Sequence, residues 1–340
     1  MKAVGFHEHG DVDVLTDLDL PEPTPGPGEV VVDVKAVALN HLDVWVRRGM
    51  AGGDLPKPFV LGSDIAGMIS AVGQGVTDAK VGDEVVLAPG VCCGRCSFCL
   101  SGEDSLCADY GILGETTTGG YAQRIAVPAG NALPKPKGLS FPEAAAFPLT
   151  FLTAWRMLVN RAQVKAGETV LITGASAGVG VAAIQIAKLH GATVIAATRG
   201  PEKQARAKAL GADHVVDSED LKKAVRAIVG REGVEVVFEH VGGETFKTAL
   251  GLLRRGGRLV TCGATSGFLA EIDLRHLFIK QQSILGSTMG SRADLLRIVK
   301  LVEAGRLKPI VDVVLPLSQA KEAHKLLEER KHFGKVVLTP

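Results

Sequence analysis

The sequence predicts an α/β protein in two parts: an irregular, barrel-like β domain and a doubly wound parallel sheet with helices on both faces. Three observations carry this expectation. The chain has 340 residues, more than a single hydrophobic core usually supports, so two domains are the default. From Met1 to about Gly130 it is punctuated by Gly and Pro, as in PEPTPGPGE, around short β-type runs. From about Thr150 β-type runs alternate with helix-type runs, the pattern of parallel strands joined by helical crossovers.

In the first part the β-type runs include EVVVDVKAVAL, GMISAVG and DEVVLAP. In the second, TVLIT is followed by the helix-type GVGVAAIQIAKLHG, then TVIAAT, PEKQARAKALG, HVVD, DLKKAVRAIVG and VEVVFEHVG. The helix-type ETFKTALGLLRRG and the runs RLVTCG and SILGSTMG complete the series. ADLLRIVKLVEAG and SQAKEAHKLLEER then lead to KVVLTP, expected to return to the first domain. The expected domains are therefore 1–150 with 289–340, and 151–288.

Bulk properties narrow the function class. A net charge of +1 gives no argument for a nucleic-acid partner. No apolar run approaches the roughly 20 residues that span a bilayer, and MKAVGFHEHG lacks the flank and apolar segment of a signal peptide. A cytoplasmic protein without a membrane partner is the expectation, and in that reducing compartment clustered cysteines point to metal rather than disulfides.

The turn GASAGVG, Gly174 to Gly180, lies between the strand TVLIT and a helix expected to open at about Gly178. Small residues there let backbone N–H groups approach a pyrophosphate at the positive end of a helix. Ala175 and Ala177 stand at the first two glycine positions of G-x-G-x-x-G and Gly180 keeps the third; with Gly178 and Val179 they form the expected cofactor turn. The alternative is an ordinary tight turn. After the second strand the chain runs into Thr198, Arg199 and Gly200 with no carboxylate to take a ribose 2′-hydroxyl. Arg199, helped by Lys203, would attract a 2′-phosphate, so NADP(H) is the expected cofactor; otherwise Arg199 is a solvated surface charge.

Five of the six cysteines fall in CCGRCSFCLSGEDSLC, residues 92–107. Cys93, Cys96, Cys99 and Cys107 have the spacing C-x2-C-x2-C-x7-C. Four thiolates on one loop surround Zn²⁺ and leave no open coordination position, the mark of a structural site, so one structural Zn²⁺ per chain is expected in a lobe at about 90–110. Cys92 lies outside the spacing. A loop with so little core draws much of its folding energy from the metal.

Together LNHLDVWVRRG (39–49), LGSDIAG (61–67), the cysteine loop, GGYAQ (119–123), the nucleotide turn, KALGADHVVD (208–217), GGRLVTCG (256–263) and the closing GKVVL resemble the medium-chain dehydrogenase/reductase superfamily. That superfamily holds zinc alcohol dehydrogenases and quinone oxidoreductases. The resemblance implies a GroES-like β-barrel domain plus a Rossmann domain, with the active site in the cleft between them. In the zinc alcohol dehydrogenases a second, catalytic zinc polarises the substrate oxygen. At the positions of its ligands this chain has Asn40, Ser63 and Leu149, and the acid beside the histidine position is Asp64. None of the three is a good zinc ligand; Asp64 or His41 could reach a metal, but without two further strong N or S ligands, so no catalytic zinc is expected. Asn40 in N-x-x-D-x-x-x-R-x-G resembles the quinone oxidoreductase branch, which runs without zinc, whereas the cysteine lobe is more typical of the alcohol dehydrogenases.

Without a Lewis acid, hydride transfer to a simple ketone lacks a group to stabilise the growing oxyanion, whereas a conjugated acceptor spreads that charge. The expected reaction is NADPH-dependent reduction of a quinone or of the C=C bond of an α,β-unsaturated carbonyl. The resemblance implies that Asn40 and Ser63 face substrate and nicotinamide, that Asp43 organises the strand end, and that Thr153 lies beside the nicotinamide. His240, Cys262, Gly263 and Ala264 would flank the nicotinamide, Ser287 and Met289 its carboxamide, and Lys335 the pyrophosphate. Simpler readings stand beside these: Asp43 as a turn brace, Ser63 as a spacer, Cys262 as a small core residue. His7 and His9 are expected on an exposed strand face, Tyr121 in a structural turn, and LLEERK as a solvated helix face. The competing functions are a zinc alcohol dehydrogenase with unusual ligands and a non-catalytic NADPH-binding protein. The last strand, SILGSTMG, is expected at a sheet edge, where it would support a homodimer or homotetramer.

Overall fold

Two sheets of contrasting topology organise the chain, and the computed structural model describes residues 1–51 and 53–340. One unit comprises Met1–Leu149 and Ser291–Pro340, the other Thr150–Gly290. No helix of the described residues is long and apolar enough to cross a membrane.

The first unit is built around the strand Glu29–Ala38, whose EVVVDVKAVA run is buried along most of its length. It pairs antiparallel with Asp64–Val72, with Arg124–Pro128 and with the C-terminal strand Lys335–Thr339. The sheet continues through Glu84–Leu87 to Ala132–Pro134 on one side and Val311–Pro316 on the other. A smaller sheet sets Lys2–Phe6 between Thr16–Asp19 and Phe59–Val60. Phe6, Phe59, Leu61, Ile65 and Tyr121 fill the core beneath them. Register decides what this sheet can do. Ala38 pairs with both Asp64 and Val337, so the stretch entering Asn40, the start of the Asp64 strand and the start of the Lys335 strand converge at one corner.

The second unit is a six-stranded, all-parallel sheet. In chain order its strands are Thr169–Ile172, Thr193–Ala197, His214–Val216, Val234–Glu239, Leu253–Thr261 and Ser283–Gly286. Their spatial order is 3-2-1-4-5-6, the doubly wound arrangement in which ligands bind beyond the carboxyl ends of the strands, where the order reverses. Val170, Leu171 and Ile172 are fully buried in the first strand, as a strand covered on both faces requires. The helix Gly178–Leu189 opens at the expected residue.

One boundary differs from the sequence reading. The helix within ETFKTALGLLRRG ends at Leu250, and LLRRG turns into the long strand Leu253–Thr261. Leu252 and Leu253 are buried among core residues of the sheet, and this burial outweighs the helical propensity of the segment.

Candidate functional site

The cysteine lobe rises from a two-stranded pair, Gly90–Val91 with Gly111–Ile112. Gly94 takes a left-handed turn with φ +71°, which reverses the chain between Cys93 and Cys96. The Sγ atoms of Cys93, Cys96, Cys99 and Cys107 all lie within 4.8 Å of one another. Cys96–Cys99 and Cys93–Cys107 are 3.5 Å apart and Cys93–Cys99 3.9 Å. Those spacings exceed a disulfide bond of about 2.05 Å and match the edge of about 3.8 Å that a tetrahedron with Zn–S of about 2.3 Å requires. The donor set therefore fits a closed, four-thiolate zinc. The N–H groups of Arg95 and Cys96 hold the Cys93 thiol down, whereas burial pushes the Cys99 thiol up. Asp104 anchors the lobe by accepting the Arg292 N–H at 3.1 and 3.2 Å, and Arg292 in turn donates to Asn131 Oδ1 at 3.3 Å.

At the strand corner of the first unit, Asn40, Asp43, Ser63, Asp64 and Lys335 are all buried. Asp64 is fully enclosed; its Oδ1 accepts the Leu149 N–H at 2.7 Å and its Oδ2 accepts Asn40 Nδ2 at 2.9 Å and Lys335 Nζ at 2.8 Å. Lys335 Nζ also donates to Asn40 Oδ1 at 2.6 Å. Lys335, assigned to the pyrophosphate by resemblance, thus has its ammonium committed to Asn40 and Asp64, because an enclosed carboxylate needs a counter-charge. Asp43 accepts the N–H groups of Asn40 at 2.7 Å and Gly62 at 3.0 Å, tying the start of the helix His41–Arg47 to the residue before Ser63. Burial pushes its carboxyl up to about 7, against the pull of those N–H groups and of Lys335. Ser63 Oγ is buried and has no hydrogen-bond partner among the described residues.

Asn40 and the Leu149 backbone meet at Asp64, and none of the side chains at the three positions taken from the resemblance is a donor of the kind zinc sites use. Leu149 carries an alkyl side chain, Asn40 an amide and Ser63 a hydroxyl; of the two carboxylates at this corner, Asp64 is paired with the Lys335 ammonium and Asp43 is bound by the Asn40 and Gly62 N–H groups. Zinc sites are built from thiolate, imidazole and free carboxylate donors.

The nucleotide turn meets the close-approach test. Gly174 has φ +58°, and a Cβ there would stand 2.7 Å from the His240 ring. A Cβ on Gly180 would stand 2.5 Å from Gly174 O, so the helix can press onto the turn only through glycine. The Ala177 N–H closes the turn on Gly174 O, and the Ala175 N–H ties it to Ala197 O at the end of the second strand, at 3.0 Å each. Gly178, Val179 and Gly180 form the first turn of the helix, whose N–H groups have no intrahelical acceptor and point where an anion would sit. Thr198 is buried at the end of the second strand, Arg199 is exposed, and Lys203 is half-buried on the helix Pro201–Ala209.

Other strand-end residues fall into two linked groups. Val241 O accepts the Ser266 N–H at 2.7 Å and Gly267 O the Gly243 N–H at 3.1 Å, so the turn after His240 is laced to the turn that follows Cys262, Gly263 and Ala264. Thr153 Oγ1 lies 3.9 Å from Met289 Sδ, bringing together two residues separately assigned to the nicotinamide. Ser287 donates its N–H to Thr261 O at 2.9 Å. Sequence reasoning missed Glu239: fully buried, it accepts the Val241 and Gly242 N–H groups at 2.8 and 3.0 Å and shapes the His240 turn. The available signal was an acid ending the apolar run VEVVFE.

Several readings are corrected. His7 and His9 lie beyond the strand Lys2–Phe6, and His9 is bound by Val46 O and Lys57 Nζ at 3.0 and 3.2 Å. LLEERK is not a simple solvated face, since Leu327 is buried and Glu328 pairs with Arg47 and Arg48 at 2.8 Å each. Tyr121, fully buried, contacts His324 Nε2 at 3.2 Å, a structural role as expected.

Residues 26–137 match the family model described as alcohol dehydrogenase GroES-like domain, and residues 178–304 the one described as zinc-binding dehydrogenase. A solved structure titled as an NAD-dependent alcohol dehydrogenase is 52% identical, covers 100% of both chains and superposes with a TM-score of 0.97. The NAD-dependent alcohol dehydrogenase of Sulfolobus acidocaldarius is 33% identical over 99% of each chain. Crotonyl-CoA reductase of Streptomyces collinus is 33% identical over 94% of this chain and 80% of its own. The quinone oxidoreductase of Rattus norvegicus is 30% identical over 99% of this chain and 97% of its own. With the GroES-like and parallel-sheet parts matched along the whole sequence, this chain belongs to the medium-chain dehydrogenase/reductase superfamily of nicotinamide-dependent oxidoreductases.

Proposed function

We propose that the chain is an NADPH-dependent reductase of quinones or of the C=C bond of α,β-unsaturated carbonyl compounds, with a structural zinc and no catalytic zinc. The observation that carries this reading is that the three places where a zinc alcohol dehydrogenase has metal donors hold Asn40, Ser63 and Leu149, with Asn40 and the Leu149 N–H bound instead to Asp64, itself paired with Lys335. The bound nicotinamide supplies the hydride. Gly178, Val179 and Gly180 present N–H groups to the pyrophosphate, and Arg199 with Lys203 takes the 2′-phosphate. Thr153, Met289, Ser287, His240, Cys262, Gly263 and Ala264 shape the nicotinamide end. Asn40 and Ser63 present polar groups to the acceptor, and Asp43 positions both by holding the backbone at Asn40 and Gly62. A conjugated acceptor is favoured because its own π system spreads the developing charge, which no metal here would hold.

The kinship with crotonyl-CoA reductase and quinone oxidoreductase supports this reading. A second reading, an NAD-dependent alcohol dehydrogenase, is favoured by the 52% identical structure of that title. Metal analysis combined with a turnover screen separates them. One zinc per chain and NADPH oxidation with a quinone or enal are expected; two zincs per chain, with alcohol oxidation only, would overturn the proposal. Asn40→Ala should lower kcat with the active acceptor by on the order of 10- to 100-fold, and unchanged turnover would remove Asn40 from the site. The strand Ser283–Gly286, an edge of its sheet, supports pairing with a second copy in a homodimer or homotetramer.

A further inference from the structure

The corner that fails as a zinc site is not without a cation. We propose that Lys335 is the resident cation of this centre, a positioning residue whose ammonium takes the charge role of a metal by balancing Asp64 and fixing the Asn40 amide. The inference rests on the zinc-independent reading above.

Three features of the geometry point this way. First, the ammonium and the carboxylate are both enclosed, with side-chain exposures of 4% and 0% and a separation of 2.8 Å. A buried carboxylate with no counter-charge is strongly disfavoured, and the Lys335 ammonium is the counter-charge placed against Asp64. Second, the two ions do not merely pair; they clamp a third group. Asn40 Oδ1 accepts from Lys335 at 2.6 Å while Asn40 Nδ2 donates to Asp64 Oδ2 at 2.9 Å. A cation on the oxygen and an anion on the nitrogen leave the amide one orientation, because turning it over would set like against like at both ends. The second Nδ2 hydrogen is then held in a fixed direction. Third, the residues come from three separated strand ends whose register at Ala38 brings them together, so the cluster is built by the sheet and not by local chain proximity. An ammonium suits the place: it is compact, carries one full charge and offers several donors without a fixed plane.

The test is Lys335→Met, which keeps the length and apolar stem and removes the charge. Its kcat should fall on the order of 10- to 100-fold, the scale of a mispositioned active-site group, while the Kd for NADPH stays within about twofold of wild type. In Lys335→Ala, which vacates the space of the side chain, methylammonium in the assay should restore part of the kcat, and tetramethylammonium, which has no N–H to donate, should not. Unchanged kcat overturns the inference. A rise in the Kd for NADPH that matches the loss of kcat/KM also overturns it and returns Lys335 to the pyrophosphate. A kcat loss without methylammonium recovery assigns the residue a purely structural role, likewise overturning it. Should Lys335→Met fail to fold, Asp64→Asn with Lys335→Met removes both charges; recovered folding of the double variant supports charge balance, and its failure counts against it. Two zincs per wild-type chain would sink the zinc-independent reading itself, whereas one zinc with an indifferent Lys335→Met sinks this inference alone.

Discussion

Arg199 and Asp43 show how far a single residue can be read. Arg199 was singled out because the end of the second strand lacks a carboxylate, and it stands exposed there beside buried Thr198. An exposed guanidinium at that strand end can donate to a phosphate in bidentate fashion. Arg199→Ala should therefore raise the Kd for NADPH by roughly 10-fold or more, the value of a charge-assisted pair, and leave the Kd for NADH unchanged. Isothermal titration of both cofactors checks this. Asp43 is different, because its importance lies in its enclosure. Its carboxyl, ordinarily near 3.8, is pushed up to about 7 by burial, so the native state binds a proton that the unfolded chain releases. The stabilisation from neutral Asp43 is complete below about pH 4 and is lost as pH rises through about 7. Thermal melts of wild type and Asp43→Asn between pH 5 and 8 should show that slope in the wild type and a flatter profile in the variant.

At the scale of elements, the cysteine lobe and the Arg47–His324–Tyr121 network invite separate tests. The lobe contains one four-residue helix, Ser97–Leu100, and a single turn, Asp104–Leu106, with Ser105 and Cys107 its buried residues. Zinc removal by a chelator should expose residues 90–110 to protease well before the rest of the chain, because metal binding supplies the folding energy of such loops; equal cleavage with and without metal would contradict it. The network joins Arg47, fully buried, to His324 Nδ1 at 3.1 Å and to Glu328 at 2.8 Å. Burial and then the Arg47 charge hold the His324 imidazole down at about 3. A depressed pKa contributes stability above the ordinary value of 6.5, lost as pH falls through about 3. His324→Gln should cost about 1–3 kcal/mol at pH 7 through poorer hydrogen bonding and flatten the acid limb of the melting curve. The sequence placed the elements well because amphipathic and β-type periods are local. It misplaced the end of the Gly243–Leu250 helix and the solvated reading of LLEERK, since burial of Leu253 and Leu327 is decided by neighbours distant in the chain.

For the whole molecule, the change of grammar near residue 150 announced two units, and the break falls between Leu149 and Thr150. The edge strand Ser283–Gly286 is preceded by Phe278, 67% exposed, and Leu269, 89% exposed, more large apolar surface than a free edge usually carries. Replacing both residues with glutamate should shift the proposed dimer or tetramer to a monomer in sedimentation velocity while leaving the far-ultraviolet spectrum intact. A wild-type monomer at micromolar concentration would refute the assembly.

By itself the sequence determined the superfamily, the alternation of strand and helix, the thiolate spacing and the glycines of the nucleotide turn. Each is written in short-range order, where spacing translates directly into geometry. What only the tertiary structure decided is the company those residues keep. Lys335 lies 295 positions from Asn40, and no local pattern connects them; the register of Lys335–Thr339 and Asp64–Val72 against Glu29–Ala38 does. Glu239 was likewise hidden, because a carboxylate ending an apolar run becomes meaningful only when the turn above it folds back and offers its N–H groups. Pairing between strands is a long-range choice made by side-chain burial, and it turns three unremarkable strand ends into one charged corner.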